Sequence, residues 1–325
     1  MPHYGKRALV VGAAGFIAAN LIRELLARGA EVHGIVRPTS NLWRLADVAR
    51  NITLHRADLA DIEALDRVMD LVQPDHIYHF AVARDSSSRE ARVDVARTNV
   101  IGTLHLLEAA ARIGYERLVY AGSSLEYGPS DRPTRETDCP VPLAFFGATK
   151  AAATLLCQQA ALAGGQPITI LRLYSVYGPW EAPSRLVPTV IQAALGDRQV
   201  MLTEAGYRRD WIYVQDVVEA LLLAAEADQA VGQIINIGTG QQHTNEQVVE
   251  AIEAAAGCQL QVRLGAYPPR STDTTFWVAD IAKARRLLQW EPRFDLSTGI
   301  QKTFEWFTRH RQIYAELTRF AERTH

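Results

Sequence analysis

The residues nearest the N-terminus that could do chemistry are suited to holding phosphate. Gly12-Ala13-Ala14-Gly15 follows the apolar run Ala8-Leu9-Val10-Val11 and precedes a stretch with helical spacing from about Ala19. Glycines at 12 and 15 permit a tight strand-to-helix turn. They also let the backbone approach a pyrophosphate at the helix N-terminus, where free N–H groups and the helix dipole favour an anion. Ala18 is the third small residue, for close packing of helix on sheet. Such a turn is weak evidence alone, since a plain strand–turn–helix shares it; its place at the start of a βαβ unit favours a nicotinamide dinucleotide. Further on, Ile35-Val36-Arg37-Pro38-Thr39-Ser40-Asn41 closes the second strand with no acid to hydrogen-bond a ribose 2′-OH. Arg37, with Ser40 and Asn41 as further donors, would instead clamp a 2′-phosphate, so NADP is expected over NAD. The bland alternative is a solvated loop arginine. Asp58-Leu59 after the third strand is placed to meet the adenine, and Ala81 after the fourth is small enough for a close cofactor contact.

These groups need a scaffold, and the pattern supplies one. Short β-branched runs at 8–11, 32–36, 52–54, 76–80, 117–121 and 168–171 alternate with helically spaced apolar residues at 18–28, 62–72, 98–113 and 150–162. This alternation predicts an α/β fold with a Rossmann-type, doubly wound parallel sheet. After Tyr174, prolines at 179, 183, 188, 268, 269 and 292 break the pattern into shorter elements. They predict a smaller, discontinuous α/β substrate domain: 175–211 and 241–325, against 1–174 and 212–240 for the dinucleotide-binding domain.

In this order and at these spacings, the chain resembles the extended short-chain dehydrogenase/reductase family, in its nucleotide-sugar branch, over nearly its whole length. The resemblance rests on Gly12-x-x-Gly15-x-x-Ala18, Asp58-Leu59, His79-x-Ala81, Asn99-x-x-Gly102-Thr103 and Ser123-Ser124-Leu125-Glu126-Tyr127-Gly128. It continues through Gly147-Ala-Thr-Lys150, Arg172-x-x-Ser175-Val-Tyr-Gly-Pro179, Arg209-Asp210 and Arg270-x-x-Asp273. It implies dinucleotide contacts at Gly12, Ala14, Gly15, Phe16, Ile17, Asp58, Leu59, Ala81, Lys150 and Val176. It implies substrate contacts at Ser124, Ser175, Val187, Arg209 and Arg270, the two arginines holding a diphosphate and Leu186-Val187-Pro188 lining a base pocket. Ser175 stands where the family usually has Asn. The family also implies a homodimer, paired through helices at about 91–114 and 146–164.

The family's chemistry uses a Ser or Thr, a Tyr and a Lys, the last two at i and i+4 on one helix face. Ser123 and Lys150 match, but Phe146 stands at the tyrosine position. In the family, the lysine's charge lowers the phenol's pKa from about 10 so that it can exchange a proton with a substrate hydroxyl. Phenylalanine has no such proton. Phe146 reads either as a Tyr→Phe change that silences an otherwise intact strip, which is favoured, or as a natural residue beside a different acid/base. Glu126 and Tyr127 are the nearest substitute donors, with Glu126 expected to be a solvated loop acid.

Family dehydratases carry an acid pair or a single Glu after the catalytic Ser/Thr, where this chain has Ser124 and Leu125, so a 4,6-dehydratase is disfavoured. Arg37 tips the remaining choice toward NADPH-dependent reduction of a 4-keto(-6-deoxy) nucleotide sugar. A C4 epimerase is the alternative, followed by the 4,6-dehydratase and then by a catalytically silent dinucleotide and nucleotide-sugar binder. The formal charge of -2 over 325 residues gives no reason to expect nucleic acid or an anionic membrane as partner. Cys139, Cys157 and Cys258 lack CxxC spacing, which suggests reduced thiols and a cytoplasmic location. No apolar run reaches the roughly 20 residues of a membrane span. His76 and His79 fall on opposite faces of one strand, so no metal is expected. Arg84, Arg89, Arg92 and Arg97 read as a solvated helix face, with Arg84 within reach of the sugar end.

Overall fold

The computed structural model describes residues 3–84, 87–196 and 199–323. At its centre lie β1 (Arg7–Val11), β2 (Glu31–Val36), β3 (Ile52–Arg56), β4 (His76–His79), β5 (Arg117–Ser123), β6 (Ile168–Leu173) and a last strand, Ile234–Ile237. Every pairing among the seven is parallel, and the spatial order is β3-β2-β1-β4-β5-β6 followed by Ile234–Ile237. Leu9, Val10 and Val11 carry no exposed surface. A parallel strand is covered on both faces, which is why its sequence is a continuous apolar run. The fold is the doubly wound, Rossmann-type sheet that the alternation predicts.

Helices α1 (Phe16–Ala27), α2 (Ile62–Val72), α3 (Arg89–Ala96), α4 (Gly102–Ile113) and α5 (Phe145–Leu162) cover the sheet. Helix α1 begins earlier than expected because Gly15, extended at φ −73 and ψ 162, is itself the N-cap. The helix expected from residue 98 begins at Arg89, capped by the Ser88 hydroxyl, which accepts from the Ala91 N–H. It passes through a π-helical turn, Arg97–Ile101, into α4. Only Val95 of α3 is buried, so this segment has no apolar periodicity to reveal it. Such π turns occur often at functional sites.

Beyond β6 the chain forms α6 (Leu186–Gly196), α7 (Val214–Glu226), α8 (Asn245–Ala256), α9 (Ala282–Leu288), α10 (Leu296–Arg309) and α11 (Arg311–Arg323). Between them, two-strand ribbons pair Ser175–Tyr177 with Trp211–Tyr213 and Arg208–Arg209 with His243–Thr244. A continuous apolar cluster runs from α1 and β1 through α6, α7 and α8 to Trp290 and Phe307. Trp290 is core, with its indole N–H donating to the Asp216 carbonyl, and Trp306 packs on Trp180. Among the described residues, no helix is long and apolar enough to cross a membrane.

Candidate active site

Strand order reverses on either side of β1, and in doubly wound sheets the crevice at that switch, at the strands' C-terminal ends, is where ligands bind. Gly12 leaves β1 there at φ +85, and a Cβ on it would stand 2.6 Å from Cα of Ala81, the residue after Phe80 at the end of β4. The turn therefore needs glycine for its left-handed backbone and for its neighbour, whatever else it approaches. No side chain caps α1. The first-turn N–H groups of Phe16, Ile17 and Ala18 thus keep their donor capacity, as an anion site requires. Ala14, Phe16 and Ile17 are half-buried around it, while Ala18 is fully buried against the sheet.

Arg37 is exposed beyond β2. Parallel register pairs Val36 with Arg56, bringing a second guanidinium to the same turn, where Arg56 Nη1 donates to the Pro38 carbonyl at 2.6 Å. Arg56 escapes sequence reasoning because it follows the third strand's apolar run and nothing local ties it to Arg37. Ser40 is half-buried, and the Asn41 side-chain oxygen accepts from the Trp43 N–H at 3.0 Å. Asp58 is exposed, but Leu59 turns inward, where a Cβ on Gly102 would lie 2.6 Å from the Leu59 Cβ.

Lys150 reaches the end of β5 that carries Ser123, and Phe146 lies one turn before it on the same helix. Ser123 ends β5 and caps a 3-10 turn, Ser124–Glu126, while Phe146 and Lys150, one turn apart on α5, are both buried. Lys150 Nζ donates to the Ala121 carbonyl at 2.6 Å and lies 4.1 Å from the centroid of the Tyr120 ring. Burial pulls its pKa down to about 8, opposed by the charge of Glu126. The Arg84 guanidinium sits 4.6 Å from the centroid of the Phe146 ring, so Arg84, exposed on the loop before α3, reaches this site as its place near the sugar end suggested. Its loop is clamped by Asn99 from the π turn: Oδ1 accepts from the Ala83 N–H at 2.8 Å, and Nδ2 donates to the Ala83 carbonyl and to Thr149 Oγ1. The expectation of a solvated Glu126 is wrong. The residue has no exposed surface, and its carboxylate accepts from Arg172 Nε at 2.7 Å. Tyr127 is also engaged, its hydroxyl donating to Asn236 Oδ1 at 2.9 Å.

Across the crevice, Arg209 Nη2 donates to Asp273 Oδ1 at 3.1 Å, and the other oxygen of Asp273 accepts from the Arg270 main-chain N–H at 2.8 Å, so one carboxylate brings both arginines together. Arg209 Nη1 is buried with no partner among the described residues. Asp210 is a fully buried hub that accepts from Thr239, Gly240 and Ala279, with its pKa pushed up to about 6 by burial. It tethers the segment carrying Trp277, whose indole N–H donates to Ser124 Oγ at 3.1 Å and whose ring lies 5.2 Å from the Arg209 guanidinium. Ser175 and Val176 are half-buried on the ribbon beside Trp211. Val187 does not reach the crevice by its side chain, which is fully buried in the core. Of the histidines set aside as metal ligands, His76 packs on His3 and His79 bonds Thr103.

A family model described as the NAD dependent epimerase/dehydratase family matches residues 8–238. The chain is 30% identical over 324 residues to dTDP-glucose 4,6-dehydratase of Streptomyces niveus, covering 96% of this chain and 95% of that protein. It is 31% identical over 331 residues to UDP-glucose 4-epimerase of Rhizobium meliloti, with 94% and 98% covered. A tyrosine-to-phenylalanine mutant of UDP-glucuronic acid 4-epimerase from Bacillus cereus, solved with UDP-4-deoxy-4-fluoro-glucuronic acid and NAD, superposes with TM-score 0.84 at 27% identity, over 94% of this chain and 99% of that one.

Proposed function

The chain belongs to the NAD-dependent epimerase/dehydratase family, and we propose that it is built to act on C4 of a nucleotide-linked hexose with NADP(H), in the direction of reducing a 4-keto sugar. The observation that carries this reading is Lys150 reaching the end of β5 that carries Ser123, with Trp277 bridging the next residue, Ser124, to Arg209. NADPH, when bound, supplies the hydride. The residues present fit it: the uncapped α1 for the pyrophosphate, and Arg37 with Arg56 for a 2′-phosphate.

In this reading Ser123 Oγ donates to the C4 oxygen, and Lys150 carries the positive charge that favours an oxyanion there. Arg209 and Arg270 hold the diphosphate, and Trp277 with Ser124 bounds the sugar. Phe146 fills the tyrosine position with no proton to give, so this chain binds but turns over poorly, whether the phenylalanine is natural or introduced. The Bacillus cereus mutant supports retained binding, since a protein of this fold with tyrosine replaced by phenylalanine holds NAD and a sugar nucleotide together. We further propose that 175–211 and 241–325 form the substrate unit. We also propose a homodimer through α3–α4 and α5, where Val93, Ile101, Leu104, Phe145 and Leu155 are exposed.

C4 epimerisation is the second reading, because relatives include UDP-glucose 4-epimerase. To separate the two, Phe146→Tyr is supplied with NADPH or NADH and a panel of nucleotide sugars. A product two hydrogens heavier, formed with NADPH, supports reduction. An unchanged mass with a new stereoisomer supports epimerisation. Preference for NADH would sink the argument from Arg37.

A further inference from the structure

Beneath Ser123 lies an ion pair that the chemistry above does not use. β5 ends on Gly122-Ser123, and the following turn brings Glu126 back under it. Glu126 Oε1 accepts from the Ser123 main-chain N–H at 2.8 Å, and Oε2 accepts from Arg172 Nε at 2.7 Å. Their side chains are 0% and 3% exposed. The Leu125 N–H donates to Ser123 Oγ at 3.2 Å, which leaves the hydroxyl proton to be directed into the crevice. Arg172 stands opposite Gly122 in the β5–β6 register, with its guanidinium 4.5 Å from the centroid of the Tyr127 ring. Gly122 makes the room: a Cβ there would lie 2.8 Å from Glu126 Oε1 and 3.3 Å from Arg172 Cγ. Taking two ions out of water costs several kcal/mol each, and apolar residues of the same volume would stabilise the fold as well or better. A buried pair kept under the reacting end of a strand has a use other than stability.

That use involves Lys150. The groups that bear on it are Glu126 from the turn after β5, Cys157 from its own helix, and Arg84 and His79 from the end of β4 and the loop beyond, with the Tyr120 ring of β5 below. Burial keeps the Cys157 thiol neutral, pushed up to about 12, and keeps His79 neutral. Glu126 is the carboxylate in this set, and both groups are tied to the same end of β5: Lys150 Nζ donates to the Ala121 carbonyl, and two residues on the Ser123 main-chain N–H donates to Glu126 Oε1.

Resting on the reading of Ser123 and Lys150 as the reacting-site pair, we propose that Glu126 is a positioning residue. One carboxylate oxygen anchors the Ser123 main chain, and the group as a whole, steadied by Arg172, supplies the buried negative charge that holds Lys150 as an ammonium. Glu126→Gln keeps the shape and an oxygen for the Ser123 N–H while removing the charge. The chain has four lysines, at 6, 150, 283 and 302, so NMR of ε-13C-labelled lysine resolves Lys150 in the protein as it stands. The expected result is a titration midpoint for Lys150 lower by about one pH unit in Glu126→Gln, a tenfold change. An unmoved midpoint in a folded variant overturns the proposal. Should Glu126→Gln fail to fold because Arg172 is left unpaired, Glu126→Gln with Arg172→Met, neutral at both positions, enters the same titration, where a smaller fall of the Lys150 midpoint is expected because the opposing cation leaves with the carboxylate. In a Phe146→Tyr background, Glu126→Gln should lower kcat about tenfold with KM unchanged and move the alkaline limb of the pH profile to lower pH. A purely structural Glu126 would leave that limb in place. If the Lys150 midpoint moves but Phe146→Tyr turns over no nucleotide sugar, the functional reading fails and the positioning role stands.

Discussion

Arg172 and Arg209 sit in very different surroundings. Arg172 is 3% exposed, with its Nε on a carboxylate that has no exposed surface at all. Arg209 is 18% exposed, shares Asp273 with the main chain of Arg270, and keeps Nη1 buried without a partner among the described residues. The floor around Arg172 spends its charge internally, which fixes Ser123 in one place. The rim around Arg209, with Arg270 exposed, holds donors that in the proposed reading gain only when an anion arrives. A buried pair broken on one side is expensive, whereas a rim donor removed costs affinity and little stability. Changes in the floor should therefore register in chemistry and stability, and changes in the rim should register in binding.

The largest effect is expected at Phe146. Phe146→Tyr should raise NADPH oxidation with a 4-keto nucleotide sugar by about 10²–10⁴-fold, with the dissociation constant of the sugar nucleotide little changed by calorimetry. A large gain in affinity instead would move Phe146 from the floor to the rim. Arg172→Met strands Glu126 and should lower unfolding free energy by about 3–5 kcal/mol, read from urea denaturation. A stability equal to that of the parent chain would show that the pair is dispensable. Arg209→Met should weaken nucleotide-sugar binding by about ten- to a hundredfold while leaving the urea midpoint in place. Reversal of that pattern would end the distinction between rim and floor.

The smallest effect belongs to His79, below the floor. Burial, aided by the charge of Lys150, pulls its pKa down to about 3, and Nε2 bonds Thr103 Oγ1 at 3.0 Å. The unfolded chain binds that proton from about pH 6.5 downward, so the folded state loses stability as pH falls, by about 2 kcal/mol at pH 5. His79→Gln should flatten this part of the stability profile between pH 7 and pH 5. An unchanged slope would place the acid sensitivity elsewhere.

The turn at Gly12, the apolar strands and the i, i+4 relation of Phe146 and Lys150 were legible because each is a matter of spacing within one element. Helix α3 was not, because a helix that buries little carries no apolar period. Glu126 was misread for a related reason: an acid in a turn after a strand is ordinarily solvated, and only the neighbouring strand could supply its counter-ion. Val187 was assigned to a pocket by its motif, yet the packing of α6 faces it to the core.

By itself, then, the sequence determined the parallel sheet, the glycine turn after β1 and the absence of an ionisable side chain at position 146, since backbone periodicity and side-chain chemistry are local properties. Tertiary structure alone decided that Arg56 stands beside Arg37, that Glu126 is buried on Arg172, and that Trp277 meets Ser124 across 153 positions of chain. Those meetings depend on strand order and register, which bring distant residues together without leaving any mark on their spacing.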